Sequence, residues 1–519
     1  MLSISFFSSG LKENIIERER YQFLINQCKF FDSIENQSGY CSLSTMFPRI
    51  LLILLVLTLQ ASLIKAQKNP LNVFWNKQQM IEDLDSLQHT LRMYHPGIGR
   101  YGDSSIWKNI QEAKDSLPEK ASSEEFSALI MELAASVACS HTRALPPSNE
   151  MDYYDNTAAY LPFNLIKIGD AYYVNESADE TGQLQVGDRI DSINGVACSD
   201  WVDSILPLIA SDGNTPARKL AAIQTGLYWY SALRFGSDHE FYTVHATRNG
   251  QPMQFSLMGV TRVDILLQRQ YNASEPTPNV QGYWIRPEIF YLKVSSFAVD
   301  DTPEEKKIFL DDLDQIFLES GVDTAQKLIL DLRGNTGGLS ELGMELCRYL
   351  MHDPFIYCHS LQLKTSDISK ELPFSPLPSY PGFPTGIRNE KGQILWLKHP
   401  ALGLKYPQDH RFKGRMLVLC DGACNSTTTE VISVLQDRNH TQFSGENPGG
   451  AFVGSNSGIT LQLVLPNSQI RVDVPLVAYH IRNSSPYSTV NLQVNYPMEP
   501  KPDMKGDPLL KKTIQILED

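Results

Sequence analysis

Two stretches of this chain put reactive residue types where they could do chemistry. The first is KLILDLRGNTGG, Lys327 to Gly338. An apolar run leads into Asp331, Arg333, Asn335 and a glycine pair, Gly337 and Gly338. Glycines at the end of a strand let a backbone N–H come close to a substrate. The second is LVLCDGACNSTTTEVISVLQD, Leu417 to Asp437. There an apolar strand meets a helix, with a cluster of hydroxyls at the junction. Ser426 falls at the helix N-terminus, where the backbone N–H groups and the helix dipole favour a developing negative charge. A serine before a helix is most often only its cap. The coincidence of the two segments, rather than the serine alone, points to a hydroxyl nucleophile, and such a group needs a base within hydrogen-bond reach.

The elements around these segments alternate. IFYLKVSSF reads as a strand, EEKKIFLDDLDQIFLESG as an amphipathic helix ended by Gly321, KLILDLRG and GRMLVLCDG as buried strands, and TTTEVISVLQD as a helix. Strand–helix alternation predicts a layered α/β core over 275–519. Residues 67–150 read as a helical N-terminal domain. In MIEDLDSLQHTLRMY the apolar positions Met80, Ile81, Leu84, Leu87 and Leu91 share one helix face, and Pro96 and Gly97 end it. SSEEFSALIMELAASVA starts with Ser122 or Ser123 as the cap and acidic residues in the first turn. Residues 155–260 change character. YLPFNLIKIGDAYYV alternates like strands, and a Gly-Asp turn, a short strand, an Asn-Gly turn and a helix follow. Gly187-Asp188-Arg189-Ile190 through Ile193-Asn194-Gly195 resembles a PDZ domain, with Pro216 to Arg234 as a helical insertion that makes it atypical. Residues 262–282 read as a connection.

Taken together, these segments resemble the tail-specific (carboxyl-terminal-processing) serine peptidase family, S41. That family has a strand ending in D-R-x-N-x-G-G, a serine at the start of the next strand's helix, and a following G-E segment. Here the last of these is Gly445-Glu446-Asn447-Pro448-Gly449-Gly450. TLRMYHPGIGRY, SHTRALPP and the closing YPMEPKPDMKGDPLLKKTIQILE extend the resemblance over the mature chain. The resemblance implies a multidomain α/β protein: a helical N-terminal domain, an atypical PDZ-like domain and a crotonase-like α/β peptidase core. Some members place the serine three residues before a glutamate, which here lands on Thr427. Others place it four before, which lands on Ser426, as does the helix length counted back from Asp437. One branch of the family takes its base from a lysine in G-x-G-K, but Ala451 stands at that position and no lysine lies between Lys413 and Lys501. The resemblance is therefore to the tricorn-like branch with a histidine base, which implies His141 in SHTRALPP. Where other members often have Asp-Gly before this histidine, this chain has Cys139-Ser140. The alternative for His141 is a satisfied polar residue in a turn. The resemblance also implies an oxyanion hole from the N–H of Thr427 with that of Gly337 or Gly338. It offers Glu446 or Glu499 as an orienting acid. If His141 and Ser426 meet, Cys139 and Cys424, each two residues earlier, could meet as a disulfide.

The activity so implied is acyl transfer on protein or peptide substrates, with no metal or other cofactor required. A catalytically inactive peptide- or ligand-binding protein on the same fold is the alternative, and a non-peptide ester is a further substrate class open to Ser–His chemistry. The formal net charge of −14 and the lack of a long basic run argue against nucleic acid as a partner. From Met46 the chain reads MFPRILLILLVLTLQASLIKAQK: a positive charge at Arg49, about ten apolar residues from Ile50, and small Ala66 before Gln67. That is the order of a signal peptide, 46–66, and the run is short for a transmembrane span. Residues 1–45 then read as an upstream extension, and the mature chain as exported, periplasmic or secreted, without a stable membrane span. Among the cysteines, Cys139, Cys198, Cys347, Cys358, Cys420 and Cys424 are scattered, with none of the paired spacing of a zinc site. The sequence leaves the oligomeric state open.

Overall fold

The computed structural model describes residues 71–101, 104–272, 278–365, 387–390, 393–482, 492–499 and 507–518. The expected signal peptide, the upstream extension and Pro502-Asp503 lie outside the described residues. Residues from Pro70 onward form one compact unit of mixed α/β architecture.

The centre is a six-stranded sheet in the order Val280–Arg286, Ile289–Val294, Lys327–Asp331, Arg415–Cys420, Thr441–Gly445 and Tyr496–Pro497. The first pair is antiparallel and every later pair is parallel. Leu328, Ile329, Leu330, Leu417, Val418 and Leu419 are fully buried, as expected for parallel strands covered on both faces. Two of these strands matter most. Asp331 pairs with Leu419, so Lys327–Asp331 and Arg415–Cys420 end side by side. Their following loops, 332–339 and 421–426, leave the same edge of the sheet. In open α/β sheets that carboxyl edge is where ligands sit.

A second sheet is built around the long strand Arg471–His480. It matters because the short strand Arg143–Leu145 pairs with it, Arg143 opposite Asp473 and Leu145 opposite Arg471. This pairing brings the N-terminal loop 138–142 to the core. The N-terminal helices run as read. Lys77–Tyr94 buries Met80, Leu84, Leu87 and Leu91. Ser123–Ala135 is capped by Ser122, whose hydroxyl accepts from Glu125 N at 3.2 Å while the Glu125 carboxylate accepts from Ser122 N at 2.8 Å. That reciprocal capping box is written in the sequence as S-x-x-E.

The third sheet is antiparallel and runs Phe163–Ile168, Ala171–Ser177, Arg189–Ile193, Phe241–Arg248 and Gln251–Met258. It has its own apolar core around Leu165, Val174, Ile193, Trp201 and Val244. The helix Pro216–Phe235 packs on it, in place of the insertion read from 216 to 234. One reading fails. Residues 262–282 are not a plain connection: Arg262–Asn272 is a helix and Val280–Arg286 is a strand. Among the described side chains of this helix Ile265 is the buried one, Leu267 is exposed, and Arg262 and Arg269 tie it down through Asp155 and Glu176. Thr261 and Asp264 cap it reciprocally, and that box was the available signal. The strand carries exposed Tyr283 and Trp284 at the sheet edge, which hides its alternation.

Candidate active site

Ser426 is the residue before the helix Thr427–Leu435, with φ 53° and ψ −129°. Positive φ is costly for a residue with a Cβ and persists only where the surroundings enforce it. Here the enforcement is a sharp reversal between the buried strand ending at Cys420 and a helix whose residues Thr427 to Leu435 are all buried. The reversal stands the Ser426 hydroxyl out of the helix start, and its side chain caps nothing.

Gly337 lies directly against it. A Cβ there would sit 2.6 Å from Ser426 Cβ and 2.8 Å from Asn425 O, and its φ is 105°. Only glycine satisfies both constraints. Gly338, φ 145°, is pressed equally hard on the Phe297 backbone. Asn335, fully buried, ties this loop down. Its Oδ1 accepts from Gly337 N at 2.9 Å and from Thr428 Oγ1 at 2.7 Å, and its Nδ2 donates to Val294 O at 3.0 Å. The N–H of Gly337 is therefore committed inward and is not free for a substrate oxygen. The Thr427 hydroxyl donates to Gly338 O at 2.7 Å. For the N–H groups of Thr427 and Gly338 no acceptor is found among the described residues. Of the three amides expected at an oxyanion hole, these two remain open.

His141 reaches the serine. Its Nε2 lies 3.2 Å from Ser426 Oγ across 285 residues of chain, and both side chains are half-buried. Its Nδ1 lies 3.2 Å from the Ser140 hydroxyl, which is 3.4 Å from Asn425 Oδ1. With the proton on Nδ1 donated to Ser140, Nε2 is left as the acceptor for the Ser426 hydroxyl. Burial holds the imidazole below its usual pKa; Asp212 pulls it up, while Arg143 and Arg218 push it down.

Neither acid expected to orient the histidine touches it. Glu446 is turned beneath the Asp421 turn, with Oε2 accepting from Gly422 N at 3.5 Å. Burial and the neighbouring Asp421 push its carboxyl up to about 7. Glu499 is exposed. The carboxylate near the ring is Asp212, fully buried in a short turn ahead of the Pro216–Phe235 helix. Its Oδ1 accepts from Ser140 N at 2.8 Å and its Oδ2 from Ala451 N at 3.3 Å. Sequence reasoning missed it because Asp-Gly-Asn-Thr-Pro reads as a turn before a helix and nothing more.

Cys139, His141 and Asp212 hold donor atoms within 4.8 Å of one another. All three are engaged in hydrogen bonds. Asp212 takes the two amides above, and Cys139 Sγ points to Asn456 O at 3.8 Å with its thiol pushed up to about 11, chiefly by burial. The suggested disulfide does not form. Cys139 and Cys424 are both free, and Cys424 Sγ turns instead to Leu332 O at 3.2 Å. The two thiols turn to different acceptors, Cys139 to the second sheet and Cys424 to the central sheet.

The sequence pattern of peptidase family S41 matches residues 288–483. Over that stretch the chain is similar to the peptidases of family S41, and it is a serine-type peptidase. The match contains Ser426, Thr427, Gly337, Gly338 and Glu446 but not His141, Asp212 or Glu499, so the histidine is placed by geometry alone. The fold is similar to that of mature CPAF complexed with lactacystin, with TM-score 0.57 at 13% identity over 81% of this chain and 94% of that one. It is likewise similar to mature CPAF, with TM-score 0.55 at 12% identity over 81% and 92%. A putative S41 protease from Bacteroides fragilis aligns over 84% of this chain and 96% of its own at 14% identity, with a TM-score of only 0.37. At these identities the likeness is one of fold. No curated protein matches the chain in sequence.

Proposed function

We propose that the protein cleaves proteins or peptides through an acyl-enzyme, with Ser426 as nucleophile and His141 as general base, in the histidine-base branch of its family. The observation that carries this is the 3.2 Å approach of His141 Nε2 to the hydroxyl of a serine held at positive φ on a helix N-terminus. His141 takes the Ser426 proton as Oγ attacks the peptide carbonyl. The N–H groups of Thr427 and Gly338 hold the oxyanion. His141 then passes the proton to the leaving amine, and water releases the acyl group by the reverse sequence. No step calls on a metal or other cofactor. The antiparallel sheet of 163–258 acts as the PDZ-like module and takes an extended peptide end by strand addition. The positive φ of Gly187, Asn194 and Gly195 supports that reading, because these are its characteristic turns. The core of 275–519 is the crotonase-like peptidase domain, and the protein works outside the cytoplasm after cleavage near Ala66.

The test is digestion of an unfolded polypeptide such as reduced casein by the wild type, Ser426→Ala and His141→Ala. The wild type is expected to release fragments, and each variant to lose about 10³-fold or more in rate. A wild type that is folded yet cuts nothing overturns the proposal in favour of a peptide-binding protein.

A further inference from the structure

We propose that Asp212, acting with the Ser140 hydroxyl, is the positioning carboxylate of His141. The inference rests on the Ser–His reading above and deepens it.

The turn that carries Asp212 and the loop that carries His141 hold each other twice. Ser140 N donates to Asp212 Oδ1 at 2.8 Å, and Gly213 N donates back to Ala138 O at 3.0 Å. Ala138 is itself at positive φ, 58°, so the loop is bent against its own preference and needs such a clamp. Thr215 closes the turn from the other side, its hydroxyl donating to Asp212 O at 2.5 Å. Through Ala451 the same carboxylate also grips the segment that follows Gly449 and Gly450, next to Asn425. One buried charge thus joins the histidine loop, the insertion helix and the wall behind the nucleophile.

Position alone is half of the role; charge is the other half. A carboxylate oxygen of Asp212 lies within 4.8 Å of a ring nitrogen of His141. The remaining charged groups that act on the ring are Arg143 on its own short strand, Arg218 on the insertion helix and Asp473 on the long strand of the second sheet. Arg143 is paired with Asp473 at 3.0 Å, which leaves Asp212 to offset Arg218. As His141 takes the serine proton it becomes cationic, and Asp212 is the buried negative charge that stabilises this ion. Ser140 supplies the acceptor for Nδ1–H and so fixes the tautomer.

The sign of the consequence is fixed. Asp212 raises the imidazole pKa, so its neutral replacement lowers it further. In a fluorophosphonate labelling assay the acid limb then moves to lower pH while the plateau rate falls. The experiment compares labelling rate against pH for the wild type, Asp212→Asn and Ser140→Ala, with thermal melts of each and Ser426→Ala as the unlabelled control. Asp212→Asn is expected to lose at least about 10-fold in plateau rate with its acid limb displaced downward. Ser140→Ala keeps the amide bond to Asp212 and is expected to show the same direction; if Asp212→Asn does not fold, this variant decides. A slower plateau with an unmoved limb marks a purely structural residue and overturns the proposal, as does a wild-type profile in either folded variant. A wild type that takes no label contradicts the Ser–His reading instead.

Discussion

Ser426 and Gly337 are a matched pair, and neither makes sense without the other. The serine occupies a backbone conformation normally left to glycine, and the glycine leaves the space that the serine's Cβ fills. Gly337→Ala is therefore expected to be worse than an ordinary glycine substitution. It adds strain at φ 105° of about 1–3 kcal/mol and forces Ser426 off the His141 line. The expected outcome is a lower melting temperature together with a loss of proteolysis larger than the stability change explains. A variant as active as the wild type would contradict the packing described. At this scale Ser426, His141 and both glycines each belong to a motif with a recognisable neighbourhood, and the fold brings these motifs together. Asp212 belongs to no such motif. Its importance comes from what the fold brings to it, Ser140 from 72 residues upstream and Ala451 from 239 downstream, and no local pattern encodes such a meeting. Of the two glycine amides that the resemblance offers, that of Gly337 is taken by Asn335 two residues earlier.

Elements were readable where a helical period or an unbroken apolar run dominates. The helix Lys77–Tyr94 and the strands Lys327–Asp331 and Arg415–Cys420 are strongly patterned and lie as read. The helix Arg262–Asn272 and the strand Val280–Arg286 were lost, since one is held largely by Arg262 and Arg269 pairing with distant acids and the other keeps Tyr283 and Trp284 in solvent. Caps carried more information than periodicity at these weak places. The Ser122–Glu125 box is a direct case. Ser122→Ala removes the acceptor for Glu125 N and is expected to destabilise the protein by about 1 kcal/mol. The check is a urea unfolding curve with its midpoint shifted down and its slope unchanged. Activity should follow stability only, because Ser122 caps the end of this helix opposite to the one that leads into the His141 loop. A drop in turnover under conditions where the variant is fully folded would show that the helix positions the loop more directly than described.

Across the whole molecule the site exists only when distant parts of the chain close on it. The central sheet sets two loop ends side by side; the second sheet delivers the histidine loop through the Arg143–Leu145 pairing; the turn before the Pro216–Phe235 helix adds the buried carboxylate. Among the described residues no helix is long and apolar enough to cross a membrane. The proposed export rests on the run that begins at Met46. Expression with the full N-terminus in a secreting host, followed by N-terminal sequencing, is expected to give a chain starting near Gln67. A start at Met1 or Met46 in the folded product would contradict export by cleavage.

The central claim is that a single hydroxyl, that of Ser426, is the nucleophile and that His141 activates it. The most direct measurement is peptide mapping of the full protein after reaction with a fluorophosphonate. One adduct is expected, on the Ser426 oxygen, absent in Ser426→Ala and strongly slowed in His141→Ala. An adduct on Thr427 or elsewhere, or equal labelling of the His141→Ala protein, would contradict it.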